Sequence, residues 1–68
     1  MQKRSLILAG HRTSIALEPE FWSALEEIAT TRGISVTALL REIDERRAGD
    51  NLSSAVRVTV LRWYRDRS

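Results

Sequence analysis

Apolar and polar positions alternate over residues 11–17, with Thr13, Ile15 and Leu17 on one side and Arg12, Ser14 and Ala16 on the other. A period of two predicts a half-buried strand. Residues 6–9 are apolar on both sides, which leaves three arrangements open: an extension of this strand, a separate strand folded back at Gly10, or an arm that pairs with another chain. Beyond Leu17 the period changes. Phe21, Leu25, Ile28 and Ala29 recur at helical spacing with Trp22 widening the stripe, while Ser23, Glu26, Glu27 and Thr30 face away. This predicts an amphipathic helix over residues 19–32. Pro19 suits its first turn, where a missing N–H costs nothing. Glu18 and Glu20 place negative charge at the positive end of the dipole, and Gly33 is a good terminator.

Ser35 stands where the next helix needs a cap, and Val36, Leu39, Leu40 and Ile43 form the stripe behind it. Arg41, Glu42, Asp44, Glu45 and Arg46 make the solvated face, with Glu42 and Arg46 one helical turn apart. The spacing predicts a helix over residues 35–47, with basic residues at its negative end and Gly49 closing it. A third segment, about 52–65, carries a contested period. Val56, Val58 and Val60 alternate like a strand, whereas Leu52, Val56, Val60, Trp63 and Tyr64 share one helical face. Asp50, Asn51, Ser53 and Ser54 offer caps, and these tip the reading to helix. Val58 and Leu61 then fall off the stripe, implying a broad buried face or contact with a partner.

Length changes what these faces imply. A chain of 68 residues buries a small fraction of its surface and usually needs a disulfide, a metal or a partner to fold stably. There is no cysteine, and His11 is the single histidine, so neither a disulfide nor a zinc site at suitable spacing is available. Oligomerisation remains, and a second copy is the expected partner. The fold class expected is mainly α with a short β-strand, in one domain spanning residues 1–68. The apolar run after Lys3 and Arg4 stops at Gly10, too short for a secretory leader, and nothing approaches the length that spans a bilayer. A cytoplasmic protein without membrane contact is expected.

Charge adds a modest pointer. The formal net charge is +2, and every basic residue except Lys3 is arginine. A guanidinium suits bidentate contact with phosphates and guanine edges, although a GC-rich genome gives the same bias. Catalysis finds no support, because no nucleophile lies beside the histidine and there is neither a Gly-rich phosphate loop nor a metal triad. No catalytic residue, metal ligand or cofactor is expected. His11 reads as structural, and Trp63 and Tyr64 as core.

Four local motifs, His11-Arg12-Thr13-Ser14, Phe21-Trp22, Gly33-Ile34-Ser35-Val36-Thr37 and Asn51-Leu52-Ser53-Ser54-Ala55, make the chain resemble the ribbon-helix-helix family of the Arc and methionine repressor type. The resemblance implies an intertwined homodimer with an intersubunit antiparallel β-ribbon and an additional C-terminal helix. Thr13, Ile15, Leu17, Phe21, Trp22, Leu25, Leu39, Leu40 and Ile43 would then form the dimer core. It also implies double-stranded DNA as partner, with Arg12, Ser14 and Ala16 reading bases from the major groove. Ala16 departs from the long polar residue often found there, and could touch a thymine methyl. Ser35, Val36 and Thr37 would clamp a phosphate at a helix N-terminus, with Lys3 and Arg4 adding phosphate contacts. The function implied is transcriptional regulation. The alternative is a dimeric protein-interaction module, or an antitoxin-type partner using the C-terminal segment, that does not read DNA sequence.

Overall fold

The computed structural model describes residues 1–49 and 51–67. It comprises a β-hairpin of β1 (Gln2–Leu8) and β2 (His11–Leu17), followed by α1 (Pro19–Arg32), α2 (Val36–Arg46) and α3 (Leu52–Asp66). The strands are antiparallel, in a register running from Gln2 opposite Leu17 to Leu8 opposite His11. A two-residue loop joins them. Both loop residues are left-handed, Ala9 at φ 52° and Gly10 at φ 79°, the arrangement whose twist matches that of the flanking strands. Gly10 adopts it freely, whereas Ala9 carries a strain of roughly 1 kcal/mol.

Of the three arrangements open for residues 6–9, the fold-back at Gly10 is the one formed, and its strand reaches back to Gln2. The resemblance placed the antiparallel pairing between two chains. Here β2 pairs with β1 of its own chain, because a two-residue loop closes with little loss of chain entropy.

Each helix is delimited by local chemistry. α1 begins after Glu18, whose carbonyl accepts from the N–H groups of Phe21 and Trp22 at 2.9 and 3.2 Å. It ends at Gly33, at φ 70°. The Gly33 N–H donates to Thr30 O at 3.1 Å and the Ile34 N–H to Ala29 O at 3.0 Å, the paired bonds of a Schellman motif. Ser35 caps α2 rather than opening it, and its Oγ accepts from the Ala38 N–H at 3.0 Å.

The expected closure of α2 at Gly49 does not occur. Arg47 already turns extended, at ψ 135°, while its N–H still reaches Ile43 O at 3.1 Å and its Nε meets Asp44 at 2.6 Å. Gly49, at φ 91°, turns the connector instead. Asn51 caps α3 through Oδ1, which accepts from the Ser54 N–H at 2.8 Å; Asp50, another cap considered, lies outside the described residues.

The helical alternative is the correct one for the contested third segment. Val56 and Val60 are buried, Leu52, Ala55 and Trp63 pack partly against the core, and Val58 and Leu61 face outward. Tyr64, expected on the stripe, sits at its exposed margin.

The core consists of Leu8, Ile15, Leu17, Trp22, Leu25, Ile28, Ala29, Leu39, Leu40, Ile43, Val56 and Val60. Seven of the nine residues assigned to a dimer core are therefore buried within one chain, and Thr13 and Phe21 are half-buried. Within the chain, β1 adds Leu8 to this core and α3 adds Val56 and Val60. Leu17, Leu25 and Leu40 are fully enclosed, each such side chain being worth about 1.5–3 kcal/mol of transfer free energy.

Candidate nucleic-acid interface

Because side chains alternate across a strand, the hairpin has one face sewn into the core and one face open. Leu8, Ile15 and Leu17 fix the inner face. The outer face carries three cross-strand pairs: Lys3 opposite Ala16, Ser5 opposite Ser14, and Ile7 opposite Arg12. Apart from the half-buried Ala16, all of these are exposed. The Oγ atoms of Ser5 and Ser14 lie 3.4 Å apart, so two hydroxyls, each donor and acceptor, occupy the centre of the ribbon. A cation stands on either side, Lys3 toward one end and Arg12 toward the other.

Neither Lys3 nor Arg12 makes an ion pair or side-chain hydrogen bond to another described residue. Arg4, Arg32, Arg47, Arg57 and Arg65 each hold a carboxylate. The ribbon's outward cations thus keep their donors available to an external anion or base edge.

The structure separates two residues expected to act together. Lys3 lies on the outer face beside Ala16, but Arg4, one residue on, turns inward. Its guanidinium stacks 4.3 Å above the Trp22 ring and donates to Glu26 at 3.1 Å. Trp22 is itself pinned, its Nε1–H donating to Gln2 O at 2.9 Å. Arg4 joins β1 to α1 and faces away from the ribbon's open side.

The start of α2 supplies the other expected element. Ser35 is exposed, and Val36 and Thr37 are half-buried. The Ser35 hydroxyl oxygen is occupied by the Ala38 N–H, so an anion here would meet the backbone N–H groups of Val36 and Thr37, the first of the helix, with the dipole behind them. Ile43 and the Arg32–Glu42 pair hold the helix in place, the guanidinium donating to both carboxylate oxygens at 3.0 and 3.1 Å. That hydrogen bonding holds the Glu42 carboxyl below its ordinary value.

Two members of the open face, Ser5 and Ile7, escaped the sequence reading. The turn pair Ala9-Gly10 between two seven-residue strands was the available signal, but apolar residues on both sides of residues 6–9 hid the alternation. At the other end of the chain, Arg67 stacks on Trp63 at 3.7 Å, which covers one face of that indole. Among the described residues no cluster of three or more His, Cys, Asp or Glu side chains is placed to hold a metal, and no helix is long and apolar enough to cross a membrane.

A family profile for the ribbon-helix-helix domain matches residues 1–64. No curated protein matches the chain. Among solved structures, an uncharacterized protein from Bordetella pertussis Tohama I is similar, with 41% identity and a TM-score of 0.79 over 93% of this chain. The match spans 54% of that protein, so this chain corresponds to about half of its length.

Proposed function

Because the chain belongs to the ribbon-helix-helix domain family, whose members are usually DNA-binding regulators, we propose that it is a dimeric DNA-binding protein that regulates transcription through its ribbon. The outer face of the hairpin enters the major groove, which is wide enough for a two-stranded ribbon. Arg12 reads a guanine edge, Ser14 and Ser5 exchange hydrogen bonds with neighbouring bases, and Ala16 touches a thymine methyl. Lys3 and the N-terminus of α2, from Ser35 to Thr37, hold phosphates and set register without carrying sequence information. The observation that carries this reading is the pair of unengaged cations flanking the Ser5–Ser14 centre on an exposed ribbon.

Binding of the purified protein to random duplex DNA at two salt concentrations tests it. Affinity is expected to fall steeply with salt as counterions are released, and Arg12→Ala is expected to weaken binding while leaving the fold intact. No binding at low salt by a folded protein sinks the proposal.

A second reading, a dimeric protein-interaction module, draws support from the outer-face pairs themselves. Ile7 is 60% exposed, and Ala16 offers no polar atom, so a third of the ribbon's outward positions are apolar. That reading predicts binding that salt does not weaken.

A further inference from the structure

The outward residues of the ribbon repeat across its centre. Its register is centred on the Ser5–Ser14 pair, and a two-fold through that centre, perpendicular to the ribbon, carries Lys3 onto Arg12, Ser5 onto Ser14 and Ile7 onto Ala16. In chain direction, the outer face of each strand is a cation, a hydroxyl and an apolar side chain. On the inner face the same operation carries Leu6 onto Ile15 and Leu8 onto Leu17, a match that their shared core explains. The core asks for no such match on the outer face, where every position but Ala16 is exposed.

Duplex DNA has the same symmetry, because its two strands are antiparallel and a palindromic site presents equivalent edges on both. A ribbon whose two-fold lies on a dyad of the duplex offers each DNA strand the same order of side chains. Here one chain's hairpin carries that order by itself. From Lys3 to Ile7 the strand rises about 13 Å, close to four base-pair steps of about 3.4 Å each.

Ile7 is the outward residue with no polar atom to offer and the most to bury, being 60% exposed. It stands opposite Arg12, and with Ser5 and Leu6 the two line a hollow of about 220 Å³. An apolar wall thus lies beside a guanidinium that no described residue engages. In the major groove the apolar group on display is the thymine methyl, and a guanidinium fits the neighbouring guanine edge.

We propose that Ile7 is a specificity-determining residue of the ribbon, seated on the methyl group of a thymine one base step from the guanine that Arg12 reads. The element under one hairpin is two-fold related within itself, with thymines on opposite strands beneath Ile7 and Ala16. The inference rests on the DNA-binding reading above, to which it adds Ile7 and the symmetry of the target.

Enrichment of a random duplex library on the full chain supplies the sequence, and replacing its thymines one at a time with deoxyuridine removes a methyl and nothing else. The wild type is expected to select an element of about four base-pair steps with inverted symmetry. At a thymine beside guanine, deoxyuridine is expected to weaken wild-type binding about fourfold, the worth of one buried methyl-sized group. Ile7→Ser should bind both duplexes alike at that position, keep the wild-type loss at the dyad-related thymine and melt as the wild type does. Ile7→Val should retain the discrimination. Tolerance of deoxyuridine at every thymine, or losses that Ile7→Ser leaves in place, overturns the role of Ile7 and spares DNA binding. An element without inverted symmetry overturns the two-fold match, and binding without enrichment of any sequence overturns the whole inference while DNA binding stands. Absence of binding at low salt overturns the inference together with the reading beneath it.

Discussion

The two faces of the hairpin share one backbone and have opposite duties. On the inner face Leu17 is wholly enclosed and Ile15 nearly so, and β1 is fastened by Arg4 to Glu26 and by Gln2 to Trp22. On the outer face, the residues between these anchors touch little except each other. Successive residues of β2 therefore alternate between holding the ribbon rigid and leaving its surface available. Recognition by a ribbon needs both, since side chains read base edges only from a backbone held in a fixed register. The separation is testable, because a substitution on one face should leave the other's property untouched.

The largest effect is expected where the inner face is anchored. Trp22 is 1% exposed, receives the Arg4 guanidinium on its ring and donates to Gln2 O. Trp22→Ala is expected to cost about 3–5 kcal/mol, a large share of the stability of so small a domain. Chemical denaturation measures it. A loss below about 1 kcal/mol would mean that the inner face is not what holds the ribbon.

Next comes the outer face. Arg12→Ala is expected to leave the denaturation midpoint within error and to weaken duplex DNA binding by about 1–3 kcal/mol at a guanine-containing site. Ser14→Ala follows in the same direction with a smaller loss. If Arg12→Ala unfolds the protein as Trp22→Ala does, the two faces are not separable and the comparison fails.

The turn that joins the strands lies between these extremes in kind and below them in size. At Gly10, φ is +79°, and an added Cβ would meet nothing within 4 Å. The penalty for Gly10→Ala is thus conformational alone, about 1–2 kcal/mol. Thermal melting should record it, with DNA affinity per folded molecule unchanged. A larger loss would indicate that the loop makes contacts beyond its backbone.

How much of this was legible depended on whether punctuation accompanied the period. Residues 19–32 have both, with Pro19 before the stripe and Gly33 after it, and the helix falls there to the residue. Residues 6–9 have an apolar run and no alternation, so the strand that completes the ribbon could not be told from an arm. Ile7 hid it, being an apolar residue on the open face. The side on which Arg4 lies was hidden for the same reason, since it depends on a register that only the turn at Ala9-Gly10 establishes. Three alternating valines blurred α3, and Asn51 decided it by capping. The closure of the core within one chain was not legible at all. It requires β1 and α3 to cover the same stripe from two sides, a long-range fact that no local pattern carries. For the candidate site, Arg12, Ser14 and Ala16 were legible as outward positions, but Lys3 and Ser5, which completes the hydroxyl pair, became visible there only with the register.

The smallest expected effect concerns the seam between α1 and α3, and pH exposes it. A hydrogen bond from its own backbone N–H, followed by the Arg57 guanidinium, holds the Glu18 carboxyl below its ordinary 4.5. Arg57 reaches both carboxylate oxygens, at 3.0 and 3.2 Å. A carboxyl lowered in the folded state contributes stability above its unfolded value, and that contribution fades as pH falls through the folded value. Both partners are partly open to solvent, with side chains 34 and 42% exposed, so the contribution is small and salt-screened. Glu18→Gln removes the titrating group while retaining an oxygen for the backbone bond. Wild type should therefore exceed Glu18→Gln modestly in urea midpoint near neutrality. The gap should close as pH drops below about 4.5 toward 3, the range where a carboxyl with an ordinary or lowered value takes up its proton. A gap that persists unchanged at acid pH would show that Glu18 supports the start of α1 through packing and not through its charge.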